Sequence, residues 1–336
     1  MFKWIIRSKS FMAGFLFLSV LMLLSIGNTV FNNGEIRRDV FLSDEKGNII
    51  DAAPYPPFTV FPLGSDLDGY DLLHMMIEGA KITIGIALLI AVLRIVLGLL
   101  IGSLLGMYAR RWIALFEKVF SSFTLIPLTL VAAFLLHNVL IMQPDGFANP
   151  FWQRVLFEVF ILTIYAVPTL AIFQANEIKR LHEEDFMEAA SVLGGGPWHK
   201  MKVHIFPHLK ENLMQISIQQ FIQVLIVLSH LGVLNLFFGG TFVDYGAGGP
   251  PKSMYYEWSG LVGTYFRSLN FHPWIALVPI GFFTLTILAA QLMLNGIKKA
   301  SEQAEEEKKI RHSASLPLQN NHSEQGLFSL HQSKEA

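Results

Sequence analysis

The run ITIGIALLIAVLRIVLGLLIGSLLGM, residues 82–107, contains a single charged side chain, Arg94. A helix rises about 1.5 Å per residue, so roughly 20 mostly apolar residues cross the ~30 Å hydrocarbon core of a bilayer. In lipid every backbone polar group must be satisfied within the structure, and a helix does this by itself. The run therefore reads as a membrane-spanning helix and sets the class of the protein. Gly98, Gly102 and Gly106 recur every four residues, a small-residue ridge along which another helix can pack closely. Arg94 lies one step further along the ridge and so faces protein rather than lipid. At a helix centre it costs at least about 2.5–3.5 kcal/mol on insertion scales, a cost that polar neighbours reduce.

Working outward, five more apolar windows fall at 11–30, 119–142, 155–175, 213–238 and 274–297. The chain is thus expected to be an all-α membrane protein with six transmembrane helices, in keeping with 52% hydrophobic and 15% charged residues. Lys3, Arg7 and Lys9 before the first window resemble a signal peptide, yet no small-x-small cleavage site follows near Ser25–Asn28, so an uncleaved anchor is expected. With no cysteine, disulfides, thiolate zinc sites and Cys nucleophiles are excluded. A net charge of −1 points to no nucleic-acid partner.

Basic loops stay on the cytoplasmic side. With the N-terminus inside, 17 of the 25 Lys and Arg residues fall on that side. Both termini and the 176–212 loop are then cytoplasmic, in the inner (cytoplasmic) membrane of a cell. The expected organisation is an N-terminal segment and anchor (1–30), an extracytoplasmic segment (31–81), a five-helix core (82–300) and a polar, disordered tail (301–336), in which SEQAEEEKK extends the last helix.

The 176–212 loop holds DFMEAASVLGGGPWHKMKVHIFPHL, residues 185–209. A helix is expected over His182–Leu193, with Glu183, Glu184 and Asp185 at its positive end and Ala189, Ala190 and Ser191 on a small-residue face. Gly194–Gly196 break it, Pro197 starts a second short helix, and Pro207 ends that helix before the fifth span. A solvated connector is one reading. The small face and an exposed Trp198 favour a docking element. His199, His204 and His208 lack the carboxylate or thiolate company of a metal site.

These residues resemble the inner-membrane permease subunits of binding-protein-dependent ABC importers, in the dipeptide, oligopeptide and nickel branch. Their signature falls on Glu188, Ala189, Ala190 and Gly194, then His204–Pro207, with Phe206 where the family usually has Leu. The resemblance continues in FPLGSDLDGYDLLHMMIEGAKITIG (61–85), in SHLGVLNL, in Trp258 with Gly260 and Leu261, and in PWIALVPIGFFTLTILAAQLMLNGIKKA, about residues 58–300. Tyr70, His74 and Met75 depart from it, and Gly239–Pro251 matches loosely.

The resemblance implies a coupling-helix loop, with Glu188, Ala189, Ala190, Gly194, Trp198 and Pro207 meeting a cytoplasmic ATPase. It implies two such ATPases carrying ATP and Mg, a second homologous permease and an extracytoplasmic solute-binding protein, importing a peptide or similar small solute. The chain itself has no Gly-x-x-x-x-Gly-Lys-Ser/Thr motif, binds no cofactor by this reading and is not an enzyme. A gradient-driven secondary transporter or channel is the competing class; no internal repeat favours it, and the conspicuous breaks lie in the loop.

Gln215, Gln219 and Gln223 recur at helical spacing in the fifth span, with His230 on the same stripe. Arg94, Gln219, Gln223 and His230 are candidate pathway-lining residues, with Gln223 or Gln219 bonded to Arg94. Interhelical glue is the equal alternative. Asp66, Asp68 and Asp71 lack a calcium-loop pattern and are expected to solvate or cap a short helix before the second span. His137 and Glu158, near span ends, are expected within reach of water.

Overall fold

The computed structural model describes residues 2–44, 46, 48–121, 125–246 and 248–315. Short α1 (Phe2–Arg7) leads into α2 (Lys9–Asn32) through Ser8, whose hydroxyl accepts from Phe11 N–H. After a small hairpin of β1 (Phe41–Ser43) and β2 (Ile49–Ala52), α3 (Leu72–Tyr108) begins at Asp71. The Asp71 carboxylate accepts from Leu73 and His74 N–H, so this acid caps the second span itself rather than a separate short helix.

Among the described residues five helical segments are long and apolar enough to cross a membrane: Lys9–Asn32, Leu72–Tyr108, Phe151–His182, Pro197–Val233 and Pro273–Glu307. The expected third span, 119–142, is interrupted; residues 122–124 of that window lie outside the described residues. Helix α4 (Ile113–Ser121) precedes the break and α5 (Leu128–Leu140) starts after Pro127. At 13 residues α5 rises about 20 Å, short of the ~30 Å hydrocarbon layer.

The fourth span is also broken. Helix α6 (Phe151–Ile164) stops at Tyr165–Ala166, and α7 (Val167–His182) restarts with Pro168 in its first turn. Proline cannot donate to the preceding turn, so one continuous helix through Pro168 would leave a bond unmade.

The fifth span starts earlier than expected. Helix α9 (Pro197–Lys200) runs through a π-helical turn, Met201–Ile205, directly into α10 (Phe206–Val233). Pro207 does not end the short helix. It sits in the first turn of α10, and the widened turn, closed by Phe206 N–H to Met201 O, accommodates it. Leu234–Phe238, expected in the span, form instead a corner leading to β3 (Thr241–Phe242), which pairs with β4 (Lys252–Ser253). Buried α11 (Trp258–Tyr265) and long α12 (Pro273–Ser315) follow; α12 carries SEQAEEEKK as a helical extension. Residues 316–336 of the tail expected to be disordered lie outside the described residues.

Helix α3 is central. A Cβ added at Gly98 would lie 2.8 Å from Leu170 Cβ, at Gly102 2.6 Å from Ala171 O, and at Gly106 2.8 Å from Ile178 Cβ. The glycine ridge thus lies flush against α7. On another side the buried Trp258 ties α11 to α3, its indole N–H donating to Met76 O (2.9 Å) and its backbone N–H to Thr83 Oγ1 (3.0 Å). His74 joins α3 to α2 through Asn28 (2.8 Å), whose amide also donates to Glu78 (2.8 Å), itself paired with Lys81.

Candidate functional site

Two features stand out, at the α7–α10 loop and in the middle of the helices. In the loop, α8 (Asp185–Val192) starts three residues later than expected, leaving Glu183 and Glu184 in the linker after α7. Its end is a Schellman turn: Gly195 N–H bonds Ala190 O (2.9 Å) and Gly194 N–H bonds Ser191 O (3.0 Å). Gly194, at φ +82°, supplies the left-handed residue this closure requires.

The loop is anchored rather than loose. Met187 and Ile205 are buried with Ile178, Leu181 and Leu209 against partly buried Leu99 and Met107 of α3. Phe186 stacks on the His208 ring at 5.2 Å, and Lys200 Nζ donates to Ser191 Oγ (2.8 Å). From this base the tip projects apolar side chains: Val192, Leu193 and Trp198 are 82%, 87% and 77% exposed. Beside them lies a depression of about 540 Å³, lined by Phe186, Ala189, Ala190, Gly194 and His199 among others. Glu188, Ala189 and Pro207 are exposed, while Ala190 is buried at the base of α8. Among the described residues no group of three metal-ligating side chains occurs.

The mid-bundle feature is built around Arg94, which is fully buried on α3. Because Ala166 N–H turns to Thr163 O at the α6–α7 break, the Leu162 carbonyl is released from the helical i→i+4 pattern. Arg94 fills that vacancy, donating to Leu162 O from Nε (2.9 Å) and Nη2 (2.5 Å). Its Nη1 donates to Gln220 Oε1 (3.2 Å). The expected bond to Gln223 or Gln219 is therefore corrected: Gln220, one position away, is the buried partner, and Gln219 and Gln223 are exposed.

Gln223 nonetheless lines a cavity of about 410 Å³ together with Arg94, Tyr165, Thr169, Gln220 and Leu128. Tyr165 OH donates to Ile126 O (2.6 Å), drawing the lead-in of α5 onto the break in the fourth span. His230 lies further along α10, its Nδ1 3.4 Å from Thr129 Oγ1 of α5. The structure thus brings Arg94 and Gln223 to one cavity, whereas Gln219 and His230 are outside its lining. Sequence reasoning missed Gln220, Tyr165 and the Leu162 carbonyl. Pro168 was the available signal, since a proline within an apolar run marks a place where helical carbonyls lose their partners.

Glu158 also departs from expectation: it is completely buried, out of reach of water, whereas His137 is exposed.

The loop and the cavity share one helical rod. From Trp198 to Gln223 the chain is helical throughout, about 38 Å at ~1.5 Å per residue.

The chain is 26% identical over 246 residues to the peptide transport system permease protein SapC of Haemophilus influenzae, covering 73% of this chain and 75% of that protein. SapC of Salmonella typhimurium is 22% identical over 240 residues, covering 71% of this chain and 73% of that protein. This chain is a homologue of these permeases. No family model matches it. As a permease homologue with several long apolar helices it is a multi-pass membrane protein.

Proposed function

We propose that this chain is the permease subunit of an ATP-driven importer, forming half of a translocation pathway for a peptide or similarly small solute. The naming of its relatives as peptide transport system permeases supports the cargo class. The observation that carries the mechanism is the α7–α10 loop: an apolar tip, Leu193 and Trp198, on a base locked to α3, α7 and α10. A solvated connector needs neither a buried base nor a bare apolar tip, whereas a handle gripped by another protein needs both.

In this reading the α4–α5 segment supplies the third of six crossings, and both termini and the loop face the cytoplasm, as the distribution of Lys and Arg supports. Two ATPase subunits bind ATP and Mg and grip this loop and that of a second, homologous permease. A solute-binding protein delivers cargo at the opposite end. Closure of the ATPases pushes on Glu188–Trp198, and α10 carries the push as a rod to the cavity at Arg94 and Gln223. Gln219 and His230, exposed on α10, face the pathway or the partner permease. The chain's own part is to bind, orient and move; the hydrolysis is its partners'. The broken fourth span would also suit a gradient-driven carrier, but that class gives no role to the projecting tip.

The test is purification of the full chain from native membranes. Co-purification of an ATP-hydrolysing chain with wild type, and its loss in Leu193→Glu and Trp198→Glu variants that still fold, is the expected result. Retention of that ATPase by both variants, or its absence from wild type, would remove the assignment.

A further inference from the structure

At the end of the bundle away from the α7–α10 loop, the corner after α10 is buried throughout Leu236–Thr241. Two successive residues of this corner meet two acidic side chains. Gly239 N–H donates to Glu158 Oε2 (3.1 Å), and the neighbouring Phe238 backbone lies beside the Glu257 carboxyl. Glu158 comes from α6 and Glu257 precedes α11, with the Ser253 hydroxyl of β4 bonded to its Oε2. Both acids are almost wholly buried, at 0% and 2% exposure, and each keeps one oxygen, Oε1, without a partner.

The cation at this corner makes no ion pair with either acid. Arg154 of α6 is the cation at the corner, but its Nε is committed to Gly239 O (2.7 Å) and its Nη1 to Asn149 O (2.7 Å), with the guanidinium 3.7 Å from the Phe147 ring centroid. No Glu158 or Glu257 ion pair occurs among the described residues. Tyr255, on the β4–α11 connection, acts on Arg154. On the α11 side Glu257 Oε1 lies against Gly260, where an added Cβ would stand 2.5 Å from it. Two ionised carboxylates in one dry corner repel each other and each loses its hydration, and a proton on one removes the repulsion and that group's own desolvation cost. Two free carboxyl oxygens are too few to cage a metal ion, which takes six or more oxygens in the hard-cation sites.

We propose that Glu158 and Glu257 form a proton-binding site, in which one exchangeable proton is held by the pair and fixes the Phe238–Gly240 corner. Burial, with the Glu158 charge adding to it, pushes the Glu257 carboxyl up to about 8. The sign of the stability effect follows. A carboxyl that holds its proton more tightly folded than unfolded contributes most below its ordinary value of 4.5, and that contribution is lost as pH rises toward about 8. This inference does not rest on the transport assignment.

The experiment uses the full chain in nanodiscs, read by infrared difference spectroscopy across pH and by thermal unfolding. Wild type is expected to show a protonated-carboxylic-acid carbonyl band at neutral pH that shifts in deuterated buffer and disappears as pH passes about 8. Glu158→Gln and Glu257→Gln, which keep size and mimic the neutral form, should each change or abolish that band. The unfolding temperature of wild type should fall as pH rises between about 5 and 8, and this slope should flatten in Glu257→Gln. Absence of the band in wild type, or a band indifferent to both substitutions, would overturn the proposal. So would loss of the band on adding sodium in place of choline at constant pH, which would assign the site to a metal cation.

Discussion

Alanine at Gly102 tests how α3 and α7 form a single strut. Its Cβ would stand 2.6 Å from Ala171 O and 2.7 Å from Gln174 Cβ, both in α7, and the first of these is backbone that cannot rotate away. Overpacking of this kind costs about 1–3 kcal/mol. The substitution also removes a glycine from a helix interior, which by itself stabilises by roughly 0.5–1 kcal/mol. Gly85, on the same helix with nothing within 4 Å of its added Cβ, provides the matched control. Gly85→Ala should be as stable as wild type or slightly more so, and the difference between the two variants isolates the clash, about 1–3 kcal/mol, because the propensity gain cancels. Equilibrium unfolding in mixed micelles, followed by tryptophan fluorescence, measures it. If Gly102→Ala proves as stable as Gly85→Ala, the two helices are not packed along this ridge, and the anchoring of the loop's base through α7 onto α3 fails.

Gly194→Ala, forced to hold a positive φ, should cost about 1 kcal/mol through the Schellman turn while leaving the exposed tip intact, so circular dichroism and ATPase retention should separate it from Trp198→Glu. Gln220→Leu strips a bond from buried Arg94 and should lower the unfolding temperature, with an effect on the order of 0.6–2 kcal/mol. Gln223→Leu, exposed beside the same cavity, should leave stability within about 0.5 kcal/mol of wild type and change only the rate or selectivity of uptake.

Much of this architecture could be read from apolar length alone. Five of the six expected windows coincide with long helices, and the Gly98, Gly102 and Gly106 spacing named the face of α3 that meets α7. The breaks were harder. Pro127 and Pro168 interrupt apolar runs whose composition never changes, so a window that counts greasy residues passes straight over them. Pro207 misled in the opposite direction: a proline that looks like a stop was absorbed by a wide π turn, whose altered bonding lets the helix pass through a residue that has no N–H to give. At the candidate site, the periodic Gln215, Gln219 and Gln223 stripe drew attention from Gln220. In a membrane helix the interior and the lipid are both apolar, so polarity does not mark the buried face as it does in water. Glu158 lay near a span end, and distance from that end gave no sign of the corner that folds over it.

Uptake by proteoliposomes holding this chain, a second permease and the ATPase, with the binding protein and a labelled peptide outside, tests the central claim most directly. Accumulation that requires ATP at the loop side and vanishes with Leu193→Glu is the predicted result. Equal accumulation by this chain alone, driven by an imposed ion gradient and indifferent to ATP, would contradict it.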